Sequence, residues 1–222
     1  MRYDRKIKML SIIALVLAIT GMSLGFAAFS STLTISSSAT VTPNSDDFKI
    51  TWHSDENDLF STSITAVGIN GCSGSPAIIS NDNNLSISNI HASFTKPGQT
   101  IAYNFFATNS GKYTVYGDTM SQANVSGTEQ QIYCSIPEGS NATLELVEAA
   151  CDDISVHLGA GSNSIINSEL PFGKLTNFYL FSDNTIPVVL LIKYAEDGDM
   201  ADGPFNVQFG DISITYTSVP NK

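Results

Sequence analysis

The sequence predicts an all-β protein, an antiparallel β-sandwich carrying one short inserted helix, led by an N-terminal signal or transmembrane helix. Three observations predict it. Arg2, Arg5, Lys6 and Lys8 precede a nearly unbroken apolar run over residues 9–29, which ends in the small residues Ala27 and Ala28. A cationic start, an apolar centre and small residues at the end make an export signal. From residue 31 onward, short segments with an apolar residue at every second position recur between turn residues, which is how half-buried strands read. Only between Cys134 and Cys151 does the period change to that of a helix.

The apolar run is long enough to span a bilayer, for which roughly 20 residues suffice. Two outcomes stay open. Either a signal peptidase cuts near Ala27-Ala28, or the segment stays as an anchor. Both place the body outside, because the cations lie on the N-terminal side. The expected division is a leader over 1–28, an N-terminal strand segment over 29–42, a sandwich over 43–218 and a tail over 219–222. In the strand segment Leu33, Ile35, Ala39 and Val41 fall on one face.

The body then reads in order. Pro43 to Asp47 is a turn, and Phe48, Ile50 and Trp52 alternate as a strand. Asp55, Glu56 and Asp58 mark a solvated loop, and residues 63–69 read as one strand. Loops follow at 71–76 and 80–84. Leu85, Ile87 and Phe94 belong to another run. Lys96-Pro97-Gly98-Gln99 has Pro and Gly at the central positions of a type II turn. Beyond it Ile101, Tyr103, Phe105 and Ala107 share one face of a strand. Asn109-Ser110-Gly111 turns the chain, so Tyr113 and Val115 are expected to start the partner strand of a hairpin.

Residues 140–150 read as a short helix with a capping residue at its start, acids in its early turns and Leu144, Val147 and Ala150 or Cys151 on one side. Ile154, Val156 and Leu158 alternate as a strand, and 159–168 is a polar loop. Residues 186–194 are almost wholly apolar, as in a central strand buried on both faces. Phe205, Val207 and Phe209, then Ile212, Ile214 and Tyr216, point to two strand segments joined by a bulge at Gly210.

The chain carries 10 Lys+Arg against 21 Asp+Glu, a formal net charge of −11. Both arginines lie in the leader, and six lysines are spread through the rest. Phosphate binding wants clustered basic residues, so no nucleic-acid partner is expected. The membrane is expected to be met only through residues 9–29, if they are retained. Cys134 and Cys151 enclose a short loop in a chain bound for an oxidising setting, so they are expected to bond. Cys72 is then left over, as a free thiol, an intermolecular bridge or a buried unreactive group.

The leader ending Gly25-Phe-Ala-Ala-Phe29, the run Phe94-Thr-Lys-Pro-Gly-Gln-Thr-Ile-Ala-Tyr-Asn-Phe-Phe-Ala-Thr-Asn-Ser-Gly111 and the final strands over 205–216 together resemble the TasA/camelysin-type exported proteins of Gram-positive bacteria. The leaders of that family are removed by the signal peptidase SipW. The cysteine pair and the helix between it depart from the family's pattern. The resemblance implies a jelly-roll sandwich, secreted or at the cell surface, that assembles into biofilm matrix fibres as a homo-oligomer. In such fibres the N-terminal strand of one subunit completes the sheet of the next. Leu33, Ile35, Ala39 and Val41 would then be donor-strand residues filling apolar pockets. The other reading is that this strand starts its own domain's sheet.

Some camelysin relatives are described as metalloproteases, which directs attention to His53, His91 and His157. None stands in an H-E-x-x-H pattern, and no G-x-S-x-G elbow occurs, so no enzymatic activity and no resident cofactor are expected. Asp197, Asp199 and Asp202 crowd one turn and are the candidates for calcium, a cation that takes oxygen ligands. Their spacing is out of step with an EF-hand loop. The function expected is an exported structural subunit. The alternative is a monomeric or membrane-tethered adhesin-like module, and a secreted hydrolase comes last.

Overall fold

The structure, a computed structural model, describes residues 48–81, 85–160, 168–171, 173–175 and 178–217. The expected leader, the donor-strand residues Leu33, Ile35, Ala39 and Val41, and the tail lie outside the described residues.

The two longest apolar alternations form the centre of the first sheet. Ile101, Tyr103, Phe105 and Ala107 lie on β8 (Thr100–Asn109), and all four are buried. β8 pairs antiparallel with β15 (Asn184–Tyr194), from Asn109 opposite Asn184 to Thr100 opposite Lys193. The five residues from Val188 to Ile192 are all buried, so β15 is the doubly covered central strand that its composition predicts. β11 (Ile154–Ala160) pairs with the other side of β15, and β12 (Ser168–Pro171) pairs with β11. Against the remaining edge of β8 lie β1 (Ile50–His53) and β3 (Ala66–Ile69), end to end, opposite residues 106–109 and 100–103.

Facing this sheet are shorter strands: β2 (Ser63–Ile64), β4 (Ser73–Gly74), β5 (Ala77–Ser80), β6 (Ser86–Ser88), β7 (His91–Phe94), β9 (Val115–Gln122), β10 (Ile132–Ser135), β13 (Gly173–Lys174), β14 (Tyr179–Leu180), β16 (Phe205–Phe209) and β17 (Ile212–Thr217). Their hydrogen bonds give two sheets, with orders β10-β16-β7-β4 and β13-β9-β17-β6-β5-β2, and β14 beside β9. The four neighbours of the first are the chain continuations of four neighbours in the second, in the same order. They are thus two halves of one set of long strands, each interrupted once along its length. Bonds at the interruption tie the halves together: Phe209 N–H to Ile90 O at 3.0 Å, Gly210 N–H to Gln131 O at 3.0 Å, and Ala123 N–H to Asp211 O at 2.9 Å. An interruption of this kind bends strands and re-aims their ends. Gly210, where a bulge is expected, shows why no side chain is tolerated there. A Cβ would stand 1.9 Å from the carbonyl oxygen of Ala123.

Both layers contribute to one core. Trp52 Nε1–H donates to the Tyr216 hydroxyl at 2.9 Å, from one layer to the other. Tyr103 O–H reaches the carbonyls of Ser75 and His91, both at 3.1 Å. Phe94, Tyr194 and Phe205 close an aromatic triangle with centroids 5.6 to 6.0 Å apart. The arrangement is antiparallel, all-β and sandwich-like, with one short helix, α1 (Leu144–Asp152).

Three expectations are corrected. The 101–115 hairpin does not form, because β8 and β9 lie in different sheets. Asn109 makes the crossing an arch: its Nδ2 donates to the carbonyls of Tyr113 and Leu180, and its Oδ1 accepts from Gly111 N–H. The single strand over 63–69 is two, because the chain changes layer at Thr65: β2 pairs with β5 and β3 with β8. The helix starts later than expected. Ser140 stands outside it. Its hydroxyl accepts from Ala142 N–H and donates to Pro204 O, and Thr143 holds the N-cap position. Leu144, expected on the buried side, is 60% exposed, while Val147 and Ala150 are buried.

Candidate functional site

Cys134 sits on β10, the outermost strand of its sheet, and Cys151 in the last full turn of α1. They are bonded, with Cα atoms 6.2 Å apart. The pair that spacing singled out thus staples the helix to a sheet edge. Cys72 is the free cysteine; its thiol donates to the carbonyls of Ile69 and Thr100 at 3.1 and 3.0 Å. Between β10 and α1 runs a groove of about 1000 Å³. Tyr133 and Leu144, both largely exposed, give its walls apolar surface, and Glu129, Glu148 and Asp152 line it as well.

The three histidines are not brought together. His53 lies on β1, His91 on β7 and His157 on β11. His53 is fully buried, with Nδ1 2.6 Å from the carbonyl oxygen of Asp55 and Nε2 2.7 Å from the Thr108 hydroxyl. A carbonyl only accepts, so Nδ1 carries a proton and Nε2 accepts from Thr108 in the neutral ring. Thr108 in turn stands 2.7 Å from the Thr185 hydroxyl. This imidazole–hydroxyl row crosses β1, β8 and β15, and the His53 ring stacks on Phe106 at 5.7 Å. An imidazole on a hydroxyl is the first half of a nucleophile-and-base pair. Here the imidazole's orienting partner is a backbone carbonyl and the ring is sealed from solvent, so the row acts as a clamp between strands. No sequence pattern pointed to it, since its members are separated by up to 132 positions.

Asp197, Asp199 and Asp202 are all exposed. Their turn is held by hydrogen bonds: Asp199 N–H donates to Asp153 Oδ2 at 2.6 Å, Gly198 N–H to Ala195 O at 3.2 Å, and Tyr194 O–H to Asp199 O. Among the described residues no group of three or more His, Cys, Asp or Glu is placed to hold a metal. The calcium candidates are therefore not assembled into a site.

Two surface features escaped sequence reasoning. At the edge of β1 that no strand pairs among the described residues, the Asn81 side chain stands in for a neighbouring strand. Its Oδ1 accepts from Trp52 N–H and its Nδ2 donates to Trp52 O, both at 2.8 Å. Such a plug blunts an edge that invites pairing. On β14 and β9 the outward positions, polar in an ordinary water-facing strand, hold aromatic rings. Tyr179 is 5.1 Å from Phe181 and 6.4 Å from Tyr116, and the first two are about half exposed. The alternation of Phe178 and Leu180 inward with Tyr179 and Phe181 outward is a run of aromatics whose sidedness only pairing reveals.

Burial raises three phenol groups. Tyr103 is pushed up to about 12 by desolvation, partly offset by its bond to His91 O. Tyr216 is raised by desolvation against the Trp52 bond, and Tyr194 by desolvation and by the nearby Asp153 and Asp199. Among the described residues no helix is long and apolar enough to cross a membrane. Comparison with protein-family models, with curated proteins and with solved structures finds no match.

Proposed function

We propose that this chain is an exported structural protein, secreted or held at the cell surface, whose β-sandwich is of jelly-roll type and whose residues 31–41 are donated as a strand to a second copy. The observation that carries the reading is that strands from Ile50 onward form both layers and their shared core. A strand donated by residues 31–41 would add to a sheet edge of that sandwich. The leader-like start and the bonded cysteines fit an oxidising compartment outside the cytoplasm. The repeated change of layer, as between β7 and β8, β8 and β9, and β15 and β16, fits a jelly roll. The signal peptidase is the partner during export. No catalytic residue is assigned.

The test has two parts. Sequencing the N-terminus of the exported protein reports whether the leader is removed near Ala28. Deleting residues 29–42 is then expected to leave a folded monomer, while the intact mature chain forms oligomers whose size grows with concentration in sedimentation. An intact chain that stays monomeric at every concentration, and that melts far above the truncated one, ends the donation reading. It would mean that the strand belongs to its own sheet.

The exposed Tyr179 and Phe181, beside the half-buried Tyr116, favour a second reading, an adhesin-like module that binds through a sheet face. Replacing Tyr179 and Phe181 by Ser is expected to abolish surface or polymer adhesion without changing oligomer size, which separates the two readings.

A further inference from the structure

The groove between β10 and α1 combines four features. β10 is paired with β16 on one side and, among the described residues, with no strand on the other. An open edge of this kind is a template for an added strand. The walls are apolar where they are exposed: Tyr133 is 42% and Leu144 60% accessible. Glu129, Glu148 and Asp152 line the groove, and no lysine does. Finally, Glu148 and Asp152 stand four positions apart on one helix, a like-charge spacing that weakens a helix by itself. Asp152 ends the helix, where the macrodipole adds further negative potential, and the last turn holds no basic residue. A helix that brings Glu148 and Asp152 to the groove, with no basic residue in its last turn, favours a cationic partner there.

We propose that this groove binds an extended basic peptide segment of a partner protein. The segment adds antiparallel or parallel to β10 through main-chain hydrogen bonds. Its lysine or arginine side chains face the helix, where their charges meet Glu148 and Asp152 and their aliphatic stems cover Leu144, and its alternate apolar side chains cover Tyr133. Four residues of β10 present about 13 Å of edge, enough for a short strand and compatible with a groove of about 1000 Å³. The Cys134–Cys151 bond spans the two walls and holds their spacing. The site is independent of strand donation by residues 31–41.

The experiment titrates a fluorescent peptide of alternating Lys and Val into the purified full chain. Saturable binding is expected, at least tenfold weaker when the peptide's Lys are replaced by Glu, and tenfold weaker or more when its outward amides are N-methylated. E148K combined with D152K on the chain should cause a similar loss, while Asp197→Lys with Asp202→Lys, equally acidic and outside the groove, should change binding less than threefold. Amide exchange at residues 132–135 should slow when the peptide binds. Equal binding of the acidic peptide, equal loss from both charge-reversed pairs, or slowed exchange elsewhere only would overturn the proposal. Self-association of the chain through β10 that excludes the peptide would also overturn it, by naming a second copy as the occupant. The exchange of the peptide's own residues needs no variant of the chain, so a folding defect in one leaves the test intact.

Discussion

β8 and β15 are joined by ten consecutive residue pairs without a shift of register, whereas the facing layer covers its span in strands of two to eight residues. The two halves of the sandwich are specified by different means. In the first layer a continuous alternation of large apolar side chains sets face and register together, since a slip by one residue would turn the whole set outward. In the second, the strands are set by backbone geometry at their interruptions: Gly210 against Ala123, and Asn89 with a left-handed φ of 58°. The contrast predicts that the first layer is sensitive to side-chain volume and the second to backbone freedom.

The largest effect should come from the centre of the first layer. Phe105→Ala removes a fully buried ring that packs 5.2 Å from Trp52. It is expected to cost about 3–5 kcal/mol, read from denaturant unfolding. A cost near that of an exposed Phe60→Ala would break the comparison.

Next comes the staple. Cys134→Ser is expected to lower stability by about 3 kcal/mol, from lost constraint on the unfolded chain. Its melting curve should coincide with that of the wild type measured under reducing conditions. A reduced wild type as stable as the oxidised one would mean that the helix is held by Val147 and Ala150 alone.

Backbone freedom is tested by Gly210→Ala, expected to cost roughly 2–3 kcal/mol because the new Cβ collides with a carbonyl. Gly127→Ala is the control. It meets nothing within 4 Å and bears only the penalty of its φ of +83°, about 1–2 kcal/mol. Equal costs would mean that the interruption at 210 relaxes and that the second layer is not set by close approach.

A smaller effect tests the link between layers. Trp52→Phe keeps most of the ring but withdraws the donor to the Tyr216 hydroxyl. A loss of about 1–2 kcal/mol is expected for a buried polar group with one partner fewer. A double substitution with Tyr216→Phe should recover part of it.

The last effect is invisible at neutral pH. Tyr103 and Tyr216 have phenols raised in the fold above the ordinary value of 10.0. The folded state therefore holds protons that the unfolded chain releases. The contribution is complete below about pH 10 and declines as pH rises from there through about 12, where Tyr103 itself ionises. Thermal melts between pH 8 and 12, with tyrosinate absorbance as the second readout, check this. Exposed tyrosines also contribute to the absorbance, so the readout is the difference between the wild type and a Tyr103→Phe, Tyr216→Phe variant; a difference that develops near pH 10 before any unfolding would show the two buried phenols to be accessible.

Much of this was legible in residue order, and the reason is local. Period-two alternation placed β8, β11, β16 and β17 and the inward faces of Phe105, Val156 and Ile214, because pleat geometry acts residue by residue, and a continuous apolar run placed β15. The short loop between Cys134 and Cys151 pointed to the bond that the structure holds, and Gly98 at a turn and Gly210 at an interruption follow from a glycine's lack of Cβ. What residue order could not decide was which strands meet. A turn such as Asn109-Ser110-Gly111 reverses the chain equally well within a sheet or between two, and the choice rests on where Leu180 and Tyr113 lie. The partner of β8 is β15, some 80 positions away, because only that pairing buries both apolar faces at once. The clamp of His53, Thr108 and Thr185, the Asn81 plug, the outward rings of Tyr179 and Phe181 and the acidic groove beside β10 are likewise products of pairing. Alternation is a property of one strand, but a site on a sandwich is made by neighbours, and neighbours are chosen by the burial of the whole core.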